Sequence, residues 1–242
     1  MRYELYYWPG IQGRGEFIRL ALEEGGADYL DVARGPQKNG GGVSALMRYL
    51  EDSDLAHPPF APPFLKAGKQ VIAQTANVLL FLGPRLGLAP ANEAGRLWVH
   101  QLQLTIADLV DEVHDGHHPI SSALYYHEQK LEARRRTADL IKQRLPKYLG
   151  YFEGILLRNQ RSGQYLAGRS LTYADLSAFQ IVEGLRYAFP RAMAKLEKRY
   201  PRLVALRDRV AARPRIAAYL ASDRRIPFNE NGIFRHYPEL DA

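Results

Sequence analysis

The alternation of apolar and polar positions divides the chain into two unlike halves. Residues 2–8 (RYELYYW) form a short apolar run that reads as a strand. A proline- and glycine-rich stretch follows, and then Phe17/Ala21 and Ile18/Leu22 recur four apart, which predicts a helix over 14–24 with one apolar face. Gly25 and Gly26 close that helix. DYLDVAR (28–34) reads as a second strand, and the glycines and prolines of 35–63 mark a loop with a short helix near 43–50. FLKAGKQVIA reads as strand, turn and strand, and QTANVLLFLGPRLG as a helix that Gly83-Pro84 stops or kinks. Residues 84–94 read as a linker. After it no strand pattern occurs, and helical periodicity fills 94–118, 122–145, 147–160, 173–188, 192–199 and 202–221.

The order β-α-β-α-β-β-α is that of a thioredoxin-like fold. The predicted class is therefore α/β plus all-α. A thioredoxin-like domain spans 1–83, the linker 84–94, and an all-helical domain with a C-terminal tail 95–242. SLTYADLSAF (170–179) holds a strong helix start. Thr172 can cap, Asp175 stands three residues on, and Leu171 and Leu176 occupy the flanking staple positions. Asp175 would look catalytic in isolation, but this spacing makes it a capping residue. The tail RRIPFNENGIFRHYPELDA is rich in aromatics and is expected to pack on the fold, since disordered tails lack them.

Composition narrows the function. The 242 residues are 46% hydrophobic and 24% charged, ordinary for a globular chain, with no apolar run long enough to span a membrane. The start MRYELYYWPG does not read as a signal peptide, and a cytoplasmic location is expected. Without cysteine there is no disulfide, no thiolate metal site and no Cys nucleophile. The net charge of +7 raises nucleic acid as a partner, but the densest basic run, KLEARRRTADLIKQR (130–144), mixes acids with bases at helical spacing and reads as a solvated helix face. Nucleic acid is not the expected ligand. Asp115, His117 and His118 in HDGHH invite a metal reading, yet they lack helical pairing with an acid partner and run into Pro119, so no metal is expected.

The candidate chemistry begins at LYYWPGIQGRGE (5–16), where a tyrosine stands as a strand gives way to a glycine-rich turn and a helix. Open α/β sheets bind ligands at such strand ends. Tyr6 and Tyr7 point to opposite faces, so the two compete for the role. Tyr7-Trp8-Pro9 with Gly13-Arg14, then PPFLKAGKQVIAQTANVLLFLG (62–83), then the capping box at 172–175, followed in order, make the chain resemble the tyrosine-type cytosolic glutathione transferases over nearly its full length, as a bacterial-like member of that superfamily. The resemblance implies that Tyr7 hydrogen-bonds the glutathione thiolate. It implies that Arg14, Pro62, cis Pro63, Gln74, Thr75 and, from the neighbouring subunit of a homodimer, Asp108 hold the tripeptide. Trp8 would line a pocket for a small hydrophobic electrophile, and Lys38 or Arg48 would meet the glycyl carboxylate. Pro62 departs from the pattern, because the residue before the cis-proline normally offers an N–H and proline has none; Pro59 is a rival for the cis bond. Thr75 also reads as a simple helix cap, Arg14 as a structural ion-pair partner, and Asp108 as a solvated helix residue.

The expected activity is transfer of glutathione to an apolar electrophile, or reduction of a peroxide, with glutathione as co-substrate and no metal. A non-catalytic partner-binding protein on the same fold is the alternative. A specialised glutathione chemistry such as isomerisation or ether cleavage is a third.

Overall fold

The computed structural model describes residues 2–159 and 163–241. The expected helix end at position 160 and the outermost domain residues 1 and 242 lie outside the described residues. The first half is built on a four-stranded sheet of β1 (Tyr3–Tyr6), β2 (Tyr29–Asp31), β3 (Phe64–Ala67) and β4 (Gln70–Ala73), in the order β2-β1-β3-β4. β2 lies parallel to β1, while β3 and β4 are antiparallel to their neighbours. The parallel pair needs a crossover, supplied by α1 (Gly15–Glu24). A short helix, α2 (Val43–Glu51), covers one face of the sheet, and α3 (Thr75–Arg85) joins α1 on the other. Side-chain alternation puts Tyr3, Leu5 and Leu65 against Ile18, Leu22, Val78 and Leu82, and sends Tyr6 and Phe64 to the α2 side with Leu46.

Three expectations for this half need revision. The second strand, expected over 28–34, is only Tyr29–Asp31, and Val32–Arg34 turns as a 3-10 helix. β1 is shorter than predicted and ends at Tyr6, so Tyr7 lies just beyond the ladder. α3 does not stop at Gly83-Pro84 but continues to Arg85. A Cβ on Gly83 would fall 2.7 Å from the Tyr173 ring, so this glycine permits a close helix approach rather than ending the helix.

The second half is helical: α4 (Glu93–His117), α5 (Lys130–Asp139), α6 (Leu145–Arg158), α7 (Tyr173–Ala188), α8 (Pro190–Leu196), α9 (Pro201–Ala211) and α10 (Pro214–Leu220). A π-helical segment, Leu140–Arg144, links α5 to α6 without a break. The bases of this stretch face solvent, apart from Arg136 and Arg144, which pair with Glu112. α7 runs through the centre of the domain and is almost wholly buried. Its start is the expected capping box: the Asp175 carboxylate, fully buried, accepts from Thr172 N–H and Thr172 Oγ1 at 2.7 Å each and from Leu166 N–H at 2.7 Å. No helix among the described residues is long and apolar enough to cross a membrane.

Candidate active site

The sheet register brings the predicted residues into one row. Tyr6 pairs with Phe64, and Phe64 with Ala73. The next position on each strand is therefore Tyr7, Pro63 and Gln74, side by side at one end of the sheet, with Thr75 opening α3 beside them. Thr75 Oγ1 donates to the Arg14 carbonyl at 3.3 Å, which ties α3 to the glycine turn. The Pro62–Pro63 peptide bond is cis, so the rival position at Pro59 is ruled out.

Tyr7 is buried, and its hydroxyl oxygen accepts the Arg14 backbone N–H at 2.9 Å. The turn fits the ring closely. A Cβ on Gly13 would come within 2.1 Å of the hydroxyl, and one on Gly15 within 2.5 Å of the ring. Only glycine leaves room for the tyrosine at these two places. Burial raises the Tyr7 pKa above its usual value, against the opposing pull of the Arg14 N–H and the Arg14 and Arg19 charges. The phenol is therefore neutral at pH 7. With a lone pair occupied by Arg14 N–H, its own hydrogen remains to be donated. Tyr6 differs. It packs between Phe64 and Tyr49, and its hydroxyl donates to Glu4 at 2.8 Å. Burial and that contact push its pKa up strongly.

Gln74 carries a second local signature. At φ 68° it is the one non-glycine residue among those described with a positive φ, and its side chain makes no capping bond to α3. Thr75 and the residues after it present the unpaired N–H groups of a helix start, a good seat for a carboxylate. Arg14 is half-buried and forms an ion pair with Asp111 on α4. Asp108, one turn earlier, is exposed on the same helix. Asp111 was not singled out from sequence; its i, i+3 relation to Asp108 was the available signal.

The remaining predicted residues stand further out. Trp8 is 37% exposed at the edge of the turn. Lys38 is exposed, and Arg48 lines a cavity of about 240 Å³ with Tyr6 and Tyr49, on the sheet face opposite Tyr7. Among other aromatics of the second half, Tyr126 is buried and stacked on Tyr237 at 3.8 Å, Phe228 is stacked on Tyr187 at 5.0 Å, and Tyr125 is exposed. Among the described residues no group of three or more His, Cys, Asp or Glu is placed to hold a metal.

The tail packs on the fold, as expected, and closes over the back of the Tyr7 turn, which was not foreseen. Gln12 donates to the Ile226 carbonyl at 2.5 Å and accepts from Gln180 at 2.7 Å, while Asn229 donates to the Gly10 carbonyl at 2.9 Å. Behind them lies a buried charge cluster. Glu16 pairs with Arg19 and Arg225 and accepts from the Tyr219 hydroxyl at 2.6 Å, and Arg19 reaches Asp31 at 2.7 Å. Sequence reading missed this cluster. Its trace was Glu16 and Arg19, two charged residues among the apolar positions of α1 ahead of its closing Glu23 and Glu24.

Comparison with known proteins agrees with this geometry. Residues 114–223 match the family model described as glutathione S-transferase, C-terminal domain. The chain is 27% identical over 225 residues to glutathione S-transferase P 1 of Xenopus laevis, covering 92% of this chain and 93% of the relative. It is 23% identical over 223 residues to a glutathione S-transferase of Plasmodium falciparum, covering 90% and 94%. Among solved structures, the Pi-class glutathione S-transferase of Onchocerca volvulus superposes with a TM-score of 0.71 at 21% identity, over 96% of this chain and 99% of that one. Prostaglandin synthase D of Nilaparvata lugens superposes with a TM-score of 0.70 at 22% identity, over 94% and 100%. The chain has the glutathione S-transferase fold, a small mixed sheet with helices followed by a helical domain. The domain match and the near-full-length relatives are all to one class of enzyme, the glutathione transferases, which is what this chain is similar to.

Proposed function

We propose that this chain is a glutathione transferase, and that it activates the thiol of glutathione with the Tyr7 hydroxyl and transfers it to small apolar electrophiles. The observation that carries the reading is the Tyr7 hydroxyl, buried at the end of the sheet and accepting from Arg14 N–H, which leaves its own hydrogen to donate. A free thiol has a pKa near 8.5, and lowering it by about two units requires roughly 3 kcal/mol of preference for the thiolate. One hydrogen bond to a charged group supplies about 1.5–3 kcal/mol. A neutral phenol is the right donor, because it stabilises the thiolate without first losing its own proton. The thiolate then attacks the electrophilic carbon, a C–S bond forms, and the leaving group departs with its electron pair. The same thiolate would reduce an organic peroxide, two glutathiones giving one disulfide as the O–O bond breaks to alcohol and water.

The tripeptide's γ-glutamyl carboxylate is assigned to the start of α3, met by the Thr75 hydroxyl, the helix N–H groups and the Gln74 amide. Its cysteinyl part runs along Pro62–Pro63, where Pro62 offers a carbonyl but no N–H. Arg14 steadies the turn through Asp111, Trp8 borders the electrophile, and in a homodimer Asp108 of one subunit meets the ligand amine in the other. A cytoplasmic location is proposed with the activity.

The test is ultraviolet absorbance of bound glutathione at the thiolate band over pH 5 to 9, in wild type and Tyr7→Phe. The expected result is a thiol pKa well below 8.5 in wild type, moved back toward it in the variant. An unshifted thiol in wild type sinks the mechanism. Absence of glutathione binding would favour the non-catalytic alternative, with Pro62 as the broken contact.

A further inference from the structure

The end of α4 holds a relay of two histidines whose hydrogen positions are fixed by what they touch. His117 is buried, and its Nε2 lies 2.7 Å from the Ile233 carbonyl of the tail. A carbonyl only accepts, so Nε2 carries the hydrogen. Burial pushes the His117 pKa down to about 3, so the ring is neutral at pH 7 and its Nδ1 is a lone pair. That Nδ1 meets the Nδ1 of His118 at hydrogen-bonding distance. One of the two must donate, and only His118 can. Burial, with the Arg235 and His114 charges, pushes the His118 pKa down to about 4, so this ring is neutral too. Its hydrogen therefore sits on Nδ1, and its Nε2 is left as a bare acceptor. Nε2 bonds to none of the described residues, and the half-buried ring leaves it open to solvent.

Two contacts place this acceptor on the side of the Tyr7 turn. Asp111 pairs with Arg14, and Arg14 N–H holds the Tyr7 hydroxyl. Asp111, His114 and His118 fall at i, i+3 and i+7 on α4 and its cap, so they share the face that Arg14 meets. His118 stands about 10 Å along that face from Asp111, at about 1.5 Å per residue. From the other side, Ile233 and Gly13 line one small cavity, so the carbonyl that starts the relay borders the glycine turn. The groups around the relay leave its free end alone. His114 stacks on His118 with ring centroids 5.1 Å apart, and its Nδ1 lies 3.5 Å from Asp115. Tyr237 meets the His117 ring at 6.5 Å, and Arg235 is turned to the Gly232 carbonyl at 2.7 Å. None of these donates to His118 Nε2.

We propose that His118 Nε2 selects electrophiles that carry an O–H donor at the end remote from the reacting carbon, of the class of phenolic enones. The proposal rests on the Tyr7 reading for where the electrophile reacts. The thiolate adds to the β-carbon of the enone and a C–S bond forms. The C=C electron pair moves onto the carbonyl oxygen as an enolate, and water returns a proton to the α-carbon. The phenol takes no part in bond making. Its O–H donates to His118 Nε2 and fixes the far end of the substrate. An analogue without the O–H leaves that acceptor to face an apolar group, and a site that hydrogen-bonds a hydroxyl rejects such an analogue. His117 is a positioning residue, since it holds the His118 ring with Nε2 free.

The test has two arms, both on the full chain. Nitrogen-15 NMR of the imidazoles at pH 7, with His118→Phe to assign the signals, is expected to show His118 carrying its hydrogen on Nδ1 and none on Nε2. Calorimetry without glutathione then compares a chalcone with a para-hydroxyl on its benzoyl ring against the methoxy and the unsubstituted chalcones. Wild type is expected to bind the hydroxyl compound about tenfold more tightly than either analogue. His118→Phe is expected to bind all three alike. His118→Gln, whose amide oxygen accepts, is expected to keep part of the preference. His117→Phe, which removes the acceptor for His118 Nδ1, is expected to lower the preference severalfold while the analogues bind within about twofold of wild type. The proposal is overturned by a hydrogen on His118 Nε2, by no binding of the hydroxyl compound, by equal binding of the three in wild type, or by a preference that survives His118→Phe or is undiminished in His117→Phe. Neither arm needs a thiolate, so a failure of the Tyr7 reading, seen in its own titration, is distinct from a failure here.

Discussion

Two substitutions at Gln74 separate what its backbone costs from what its side chain contributes. Gln74 has φ 68° and ψ 121°, immediately before α3. Holding a non-glycine residue in such a region costs about 1–3 kcal/mol. Gln74→Gly removes that strain but gives the unfolded chain more freedom, a loss of about 0.5–1 kcal/mol. The glycine variant should therefore be as stable as wild type or up to about 2 kcal/mol more stable. Gln74→Ala keeps the strain, and because the amide makes no capping bond its stability should stay within about 0.5 kcal/mol of wild type. Both variants lose the amide. If that amide meets the γ-glutamyl carboxylate, both should lose about 1.5–3 kcal/mol of glutathione affinity, roughly tenfold to a hundredfold, and by the same amount. Urea denaturation measures the first quantity and calorimetry with glutathione the second. A glycine variant less stable than the alanine variant refutes the strain. An alanine variant with undiminished affinity refutes the role of the amide.

Asp175→Ala should destabilise the chain by about 3 kcal/mol or more, because it strands the buried N–H groups of Leu166 and Thr172, each worth about 1–3 kcal/mol. Thermal or urea unfolding that shows a loss under about 1 kcal/mol would refute the capping role. Gly15→Ala should cut transferase activity severely with the fold retained, since its Cβ would land within 2.5 Å of the Tyr7 ring; an unchanged thiol pKa in that variant would refute the fit. The histidines at the end of α4 should make stability depend on acid. Burial pushes His117 down to about 3 and His118 to about 4, aided by the Arg235 and His114 charges, from an ordinary 6.5. The unfolded chain then binds more protons than the folded one below about 6.5, so stability is lost as pH falls through that value toward 4. Circular dichroism on denaturant titrations at several pH values should show this slope, flattened in His117→Gln, and a flat wild-type profile from pH 7 to 4.5 would contradict it.

What the sequence shows and what it hides divide by range of interaction. Most of the elements and the capping box at Thr172–Asp175 were legible because each depends on residues a few positions apart, while the cis bond at Pro63 was implied by the family resemblance; the helix expected over 122–145 begins only at Lys130, and the one expected over 202–221 divides into α9 and α10. Periodicity, a proline's fixed φ and a glycine's freedom are local properties. Gly83 shows where that locality misleads. Next to Pro84 it reads as a helix stop, yet its job is set by Tyr173, ninety residues on, whose ring occupies the space a Cβ would need. The partner of Arg14 was out of reach for the same reason, since nothing near position 14 distinguishes Asp111 from Asp108 on a solvated helix face. The tail was predicted to pack, but not against what.

The contacts that hold the Tyr7 turn carry this furthest. Gln12 is held from one side by Gln180 and from the other by the Ile226 carbonyl, and Arg225 bridges Gln180 to Glu16. Glu16 is wholly buried with Arg19, so the pair is tolerable only because Asp31, Arg225 and Tyr219 join it, with Arg19 Nη2 and Asp31 Oδ1 left without a hydrogen-bond partner. The glycines explain how the turn can accommodate Tyr7, and they are visible in twelve residues of sequence. They do not explain why so flexible a segment keeps one conformation. That rigidity comes from α7, α10 and the tail, more than 160 positions away. A turn made permissive by glycine is thus fixed by a charge cluster that only the folded second half can assemble, and the placement of the Tyr7 hydroxyl depends on both.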